Sequence, residues 1–259
     1  MNAAIVIPAR YASSRFAGKP LYKIAGISML ERVWRIARAV NGCSRIVIAT
    51  EDERIVAHAT SFGAEAVMTP ESCVNGTERV YAAVREAAIN EDIILNLQGD
   101  ALLTPPWILE SMIAEIKEAP DAEIVTPAVK LEGAALDAFR EHKKTSPASG
   151  STVVFDSDHN ALYFSKAIIP HMRNAGVASI YRHIGLYGYR RAGLEKYMKL
   201  CPTPLEQAEG LEQLRALEHG MTIRIALVDY KGRTHGSVDS MEDVAPTEQI
   251  IAREGELVT

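Results

Sequence analysis

Three cations, Arg10, Arg15 and Lys19, fall within the run Pro8-Ala9-Arg10-Tyr11-Ala12-Ser13-Ser14-Arg15-Phe16-Ala17-Gly18-Lys19-Pro20, directly after the apolar residues 4–8. Small residues let backbone N–H groups approach a phosphate while the cations neutralise it. A solvated cationic loop fits the same spacing. The run is not a Walker A loop, which needs Gly where Ser13 stands and Ser or Thr where Pro20 stands. A second cluster, Asn75-Gly76-Thr77-Glu78-Arg79, opens a helix with a hydroxyl and an Arg in its first turn. Helix N-termini attract anions, although an ordinary cap has the same composition. The third is Leu97-Gln98-Gly99-Asp100, an Asp just past a buried strand. That Asp suits Mg²⁺, which takes hard oxygen ligands and only one or two protein carboxylates. It also suits a structural turn. Asp239 offers a distant second carboxylate. The fourth group is Tyr181 to Tyr189 with Glu212-Gln213-Leu214-Arg215. There a lone His183 on a strand reads first as a hydrogen-bonded structural residue. Tyr187 and Tyr189 share a face by period two, as packing residues do.

The elements that position these residues alternate. Residues 4–8, 45–50, 66–68 and 93–97 read as strands, and 28–40, 52–62, 76–90 and 107–119 as helices. Ser28 with Glu31 reads as a capping box, and Gly63 as a helix stop. The pattern predicts an α/β fold, a parallel sheet with helices on both faces and ligands at the carboxyl ends of its strands. Residues 122–190 read as a β-rich insertion with no long helix between its central strands, with a hairpin turning at 156–160 and loops at 141–150 and 171–178. The α/β pattern then returns. Thr203, Pro204 and Glu206 start a helix running to about 218, a strand covers 223–228, and Ser240-Met241-Glu242-Asp243 opens the last helix. The expected division is 1–121, 122–190 and 191–259, within one compact domain overall.

Composition bounds the function. The chain has 259 residues, 47% hydrophobic and 24% charged, which excludes disordered and collagen-like classes. With 28 Lys plus Arg against 33 Asp plus Glu, the net charge of −5 lacks the basic footprint of a nucleic-acid binder. No run approaches the roughly 18 apolar residues of a membrane span. The first residues show no secretory signal, so a cytoplasmic protein is expected. Cys43, Cys73 and Cys201 form no CxxC pair, which argues against zinc and disulfides and for a reducing compartment.

Together the motifs resemble the 3-deoxy-manno-octulosonate (Kdo) cytidylyltransferase family, the CMP-Kdo synthetases. The matching text is IPARYASSRFAGKPL, MT followed by NGTER, LNLQGD, ALYFSKAIIP, RHIGLYGYR, PLEQAEGLEQLRALEHG and VDSMED, in order over nearly the whole chain. The resemblance implies a Rossmann-like three-layer nucleotidyltransferase fold with a β-rich insertion. It implies CTP and Kdo giving CMP-Kdo and pyrophosphate with Mg²⁺, by attack of the acceptor's own hydroxyl. By similarity, Arg10, Arg15 and Lys19 hold the triphosphate, and the Ala9 backbone lies near the cytosine. Asn75, Gly76 and Arg79 help read base and ribose, and Gln98 sits between nucleotide and acceptor. Asp100 and Asp239 carry Mg²⁺, while Lys166, His183, Tyr187, Glu212 and Gln213 serve the acceptor. Lys19, Arg10 and Asp100 are the residues expected to carry catalysis. The family also implies a homodimer through the insertion, with neither nucleic acid nor membrane as a partner.

Three places depart from the family's text. QGDEP reads Gln98-Gly99-Asp100-Ala101-Leu102, YFSRA reads with Lys166 in place of Arg, and a lysine-containing strand is replaced by Ala148-Ser149-Gly150-Ser151-Thr152. Lys cannot make the bidentate fork that Arg offers a carboxylate. All three lie on the acceptor side, which keeps two alternatives open. One is a different acid, such as a modified octulosonate, another sugar acid or a phosphonate. The other is a nucleotide-binding homologue without catalysis.

Overall fold

The computed structural model describes residues 1–12, 16–174 and 176–258. The chain divides into two compact units, one made of residues 1–113 and 230–259, the other of residues 114–229.

In the first unit, β1 (Ala3–Pro8) is buried at every position, as an apolar strand covered on both faces must be. Lys19–Leu21 forms a short 3-10 turn, and the small hairpin β2 (Lys23–Ile24) and β3 (Ile27–Ser28) leads into α1 (Met29–Arg38). The Ser28 side chain accepts from the Glu31 backbone N–H, capping that helix. There follow β4 (Cys43–Thr50), α2 (Glu53–Ser61), β5 (Glu65–Met68), α3 (Gly76–Glu86) and β6 (Ile93–Asn96). Gly63, at φ 81, follows α2 where a left-handed residue ends a helix. The strands order as β5-β4-β1-β6, and each pairing is parallel. The division between the units falls within α4 (Pro106–Glu118).

In the second unit, β7 (Ile124–Leu131) is central and α5 (Gly133–Thr145) follows it. The strands β8 (Ser151–Phe155), β9 (Ala161–Ser165), β10 (Ile180–His183) and β11 (Tyr187–Arg190) come next, then α6 (Arg191–Tyr197), α7 (Pro204–Glu209), α8 (Gln213–Glu218) and β12 (Ile223–Leu227). β7 pairs antiparallel with β10 and β11 and parallel with β12, and the chain β10-β8-β9 continues antiparallel. The 151–165 hairpin is present as read.

Two expectations fail here. Residues 141–145 are not loop but the end of α5. Phe139 is buried against Leu131 and Ile180, and the Lys143 ammonium donates to the carbonyls of Pro147 (2.9 Å) and Gly150 (2.8 Å), anchoring a stretch of good helix formers. The helix starting at Pro204 does not run unbroken to 218. Gly210, at φ 62, takes the left-handed conformation and separates α7 from α8. The chain then returns to the first unit and ends in α9 (Val244–Glu254).

Candidate active site

Carboxyl ends of parallel strands leave backbone and loop groups free for ligands. In the first unit a cleft of about 330 Å³ opens there, and its walls bring together Ala9, Arg10, Lys19, Asn75, Gly76 and Arg79. Gln98, Asp100 and Asp239 complete it. Arg15 lies outside the described residues.

Lys19 is delivered by the 3-10 turn. The preceding Gly18, at φ 70, takes a conformation that strains any side chain, and its N–H donates to Tyr11 O at 3.0 Å. The Lys19 ammonium donates to Asp100 Oδ2 at 2.7 Å and to the Val238 carbonyl at 2.9 Å. This bond pair joins three segments far apart in sequence. Asp239, next to Val238, is held through its backbone N–H, which donates to Asp243 Oδ2 at 2.9 Å, and Ser237 Oγ donates to its carboxylate at 3.3 Å. Burial opposes the charge on Asp243. The backbone N–H groups of Ser240 and Asp239, the Ser240 hydroxyl and the Lys19 charge outweigh it and hold that carboxyl below its ordinary range.

Asn75 caps α3, its side-chain oxygen accepting from the Glu78 N–H at 2.8 Å, while the Glu78 carboxylate accepts from the Val74 N–H at 2.9 Å. A Cβ on Gly76 would stand 2.9 Å from both amide atoms of Gln98, so that amide would have to move aside. Gln98 in turn donates to Asn96 Oδ1 at 3.1 Å. A Cβ on Gly99 would meet the Pro8 carbonyl at 2.9 Å, so the β1 and β6 loops close on one another only with Gly there. Arg79, 4% exposed, donates to Thr69 Oγ1 at 2.7 Å and pairs with the Glu51 carboxylate at 3.0 Å.

Sequence reasoning missed one residue that lines the cleft and one that pairs with Arg79 behind it. Cys73 lines the cleft two residues ahead of Asn75, and burial pushes its thiol up. Glu51 sits just past β4, and a lone carboxylate in that position carries no motif. The departures Ala101 and Leu102 are both buried, so apolar packing occupies the place where the family text has Glu-Pro.

The second unit holds the other expected residues. His183 is 6% exposed, with Nε2 paired to Thr126 Oγ1 at 2.8 Å and Nδ1 to Ser151 Oγ at 3.0 Å. Tyr187 is buried. Burial pushes its phenol well above the ordinary range, with the Glu212 charge and neighbouring tyrosines adding to the effect. The neutral hydroxyl donates to Gln213 Oε1 at 2.8 Å. Among the described residues, Gln213 Nε2 is buried with no partner. The backbone carbonyl of Glu212 accepts from Tyr197 Oη at 3.1 Å. Lys166 lines a separate hollow of about 530 Å³ with Lys143 and Glu209. Its N–H donates to Glu209 Oε2 at 2.7 Å. Burial and the charges of Lys166 and Arg182 push the Lys143 ammonium down.

Among the described residues no three His, Cys, Asp or Glu side chains cluster as a metal cage. The first-unit cleft instead offers two carboxylates, and one of them already balances a cation, the Lys19 ammonium. That donor set fits Mg²⁺, which shares its ligands between one or two carboxylates and phosphate oxygens.

The family model for cytidylyltransferases matches residues 4–223. The chain belongs to the cytidylyltransferase family. A 3-deoxy-manno-octulosonate cytidylyltransferase of Maricaulis maris (strain MCS10) is 51% identical over 259 residues, covering 100% of both chains. An 8-amino-3,8-dideoxy-manno-octulosonate cytidylyltransferase of Shewanella pealeana is 39% identical, covering 94% of this chain and 96% of its own. A solved CMP:2-keto-3-deoxy-manno-octonic acid synthetase complexed with CTP superposes with a TM-score of 0.88 at 33% identity, covering 98% of this chain and 100% of its own. This cytidylyltransferase therefore has the α/β nucleotidyltransferase fold, with a sheet of mixed parallel and antiparallel strands. No helix among its described residues is long and apolar enough to cross a membrane.

Proposed function

We propose that this cytidylyltransferase converts CTP and Kdo into CMP-Kdo and pyrophosphate. The observation that carries the reading is the Lys19–Asp100 contact in a cleft also lined by Arg10, Asn75, Gln98 and Asp239. Cations, amides and paired carboxylates there match the parts of a nucleoside triphosphate. The acceptor's own anomeric oxygen attacks the α-phosphate, its proton leaves to solvent, and the bond to pyrophosphate breaks, with no covalent enzyme intermediate. Arg10 and Lys19 neutralise the triphosphate and hold it for in-line attack, which is most of what phosphoryl-type transfer asks of a protein. Asn75, Gly76 and Arg79 bound the space for base and ribose. Asp100 and Asp239 would hold Mg²⁺, which when bound would supply further charge neutralisation. In the second unit, Lys166, His183, Tyr187, Glu212 and Gln213 serve the acid. The buried, unpartnered Gln213 Nε2 supports that role, because an anionic ligand would supply the acceptor it lacks. The proposal includes a cytoplasmic homodimer.

The second reading is a modified octulosonate as acceptor. The name of the Shewanella relative and Lys166 in place of Arg favour it. Pyrophosphate release by the purified protein with CTP, Mg²⁺ and either Kdo or its 8-amino analogue tests both. Higher kcat/KM with Kdo supports the first reading, higher kcat/KM with the amino sugar the second, and no release with either overturns both.

A further inference from the structure

Glu51, immediately after β4, takes no part in the chemistry described above, yet its side chain is only 11% exposed. Its Oε1 accepts the backbone N–H of Tyr11 at 2.9 Å, and its Oε2 lies 3.0 Å from Arg79 Nη1. Both partners are donors, and the two carboxylate oxygens turn one acceptor to each. Tyr11 is fixed a second time, since the Arg54 guanidinium stacks 3.3 Å from its ring centre while Asp52 grips Arg54 with bonds of 2.9 and 2.6 Å. Tyr11 follows Arg10, and Arg10 and Arg79 both line the cleft. One carboxylate thus ties the loop that carries Arg10 to the helix that carries Arg79.

We infer that Glu51 is a positioning residue for the nucleotide: it sets the spacing between the Arg10 loop and Arg79, and through that spacing the affinity for CTP. The inference rests on the cleft being the CTP site. It makes a chemical demand that a generic buried pair does not. Glutamine is nearly the same size, but it offers one acceptor and turns an N–H toward either Tyr11 or Arg79. Aspartate keeps both acceptor oxygens and the charge on a shorter arm.

The test compares Glu51→Gln and Glu51→Asp with the parent protein by calorimetric titration with CTP and Mg²⁺, by separate KM values for CTP and Kdo, and by thermal melting. For Glu51→Gln, CTP binding and the CTP KM weaken about tenfold, the scale of weakening one partly buried ion-pair contact. The KM for Kdo and kcat stay within about threefold, the mark of lost nucleotide binding rather than lost transition-state contacts. Glu51→Asp recovers most of the CTP affinity. Unchanged CTP affinity in Glu51→Gln, an equal loss for both substrates, or Gln serving as well as Asp overturns the inference. So does a drop in melting temperature that is not accompanied by weaker CTP binding. A parent protein that binds CTP but releases no pyrophosphate with either acceptor defeats the proposed function and leaves the binding comparison to decide Glu51. A parent that binds no CTP defeats both.

Discussion

The two units hold their polar residues in opposite ways. In the first, the groups lining the cleft are charged or amide side chains at strand ends, and the Lys19–Asp100 ion pair stays partly open to solvent at 16% and 27% side-chain exposure. In the second, His183, Tyr187 and Gln213 are buried on strands and at a helix start, held by hydrogen bonds to hydroxyls and to each other. An ion pair partly open to solvent contributes less stability than a buried one, so its partners are available to a ligand. A buried hydrogen-bonded network contributes to the fold through the bonds it makes. Substitutions in the first unit's cleft should therefore read out in turnover with stability kept, and those in the second unit in stability as well as in acceptor binding.

The largest expected effect tests the first half of that contrast. Lys19→Ala should lower kcat/KM for cytidylyl transfer by roughly 10²–10³-fold, as the loss of one preorganised electrostatic partner does. Its melting temperature should stay close to the parent's. Near-normal turnover in this variant would remove the cleft from the chemistry. The second half is tested by His183→Leu, which leaves the Thr126 and Ser151 hydroxyls without their ring partners and should cost about 1–3 kcal/mol in denaturant unfolding. Full stability with only a raised acceptor KM would erase the contrast.

Smaller effects sharpen it. Gly76→Ala pushes against the free end of the Gln98 side chain rather than against backbone. Turnover should fall about tenfold through misplacement of that amide, with unfolding unchanged; a loss of stability instead would mean that the α3 entrance, not Gln98, gives way. The smallest effect lies in the first unit away from the cleft. Burial opposes the charge on Glu254, but bonds from Thr234 and Arg253 hold its carboxyl at about 2, against an ordinary 4.5. A carboxyl depressed on folding stabilises above its unfolded value, and that contribution disappears as pH falls from about 4.5 through about 2. Glu254→Gln should flatten this acid limb in a melting-temperature titration while leaving turnover at neutral pH unchanged. A steep limb in the variant would place the acid sensitivity elsewhere.

Much of the cleft was legible because chemistry-bearing residues sit on loops at strand ends, where sequence leaves them unmixed with packing residues. Asn75 announced a helix start and Asp100 followed a visible strand. What sequence could not give was the meeting of Lys19 with Val238 across 219 positions. Glu51 was invisible for a related reason: its two partners are a backbone N–H, which any residue supplies, and an Arg from another element. In the second unit, α5 was missed because the run EHKKTSPASG reads as polar loop, while the residue that buries the helix, Phe139, comes before it. Gly210 was passed over because a single Gly inside a helical pattern is often tolerated. Burial of the aromatic and histidine side chains on β10 and β11 depends on which strands flank them, and period-two spacing alone leaves that open.

The first unit is assembled from two stretches of chain with the whole second unit between them. On the ribosome, Lys19 and Asp100 emerge early, and the carbonyl of Val238 that completes the lysine's pair of bonds emerges only after residues 114–229 have been made. Domains generally fold as units during synthesis, so the continuous second unit can close before the cleft is finished. A chain made only as far as residue 229 thus holds its cations and carboxylates in an unfinished arrangement, and the cleft closes only once residues 230–259 follow.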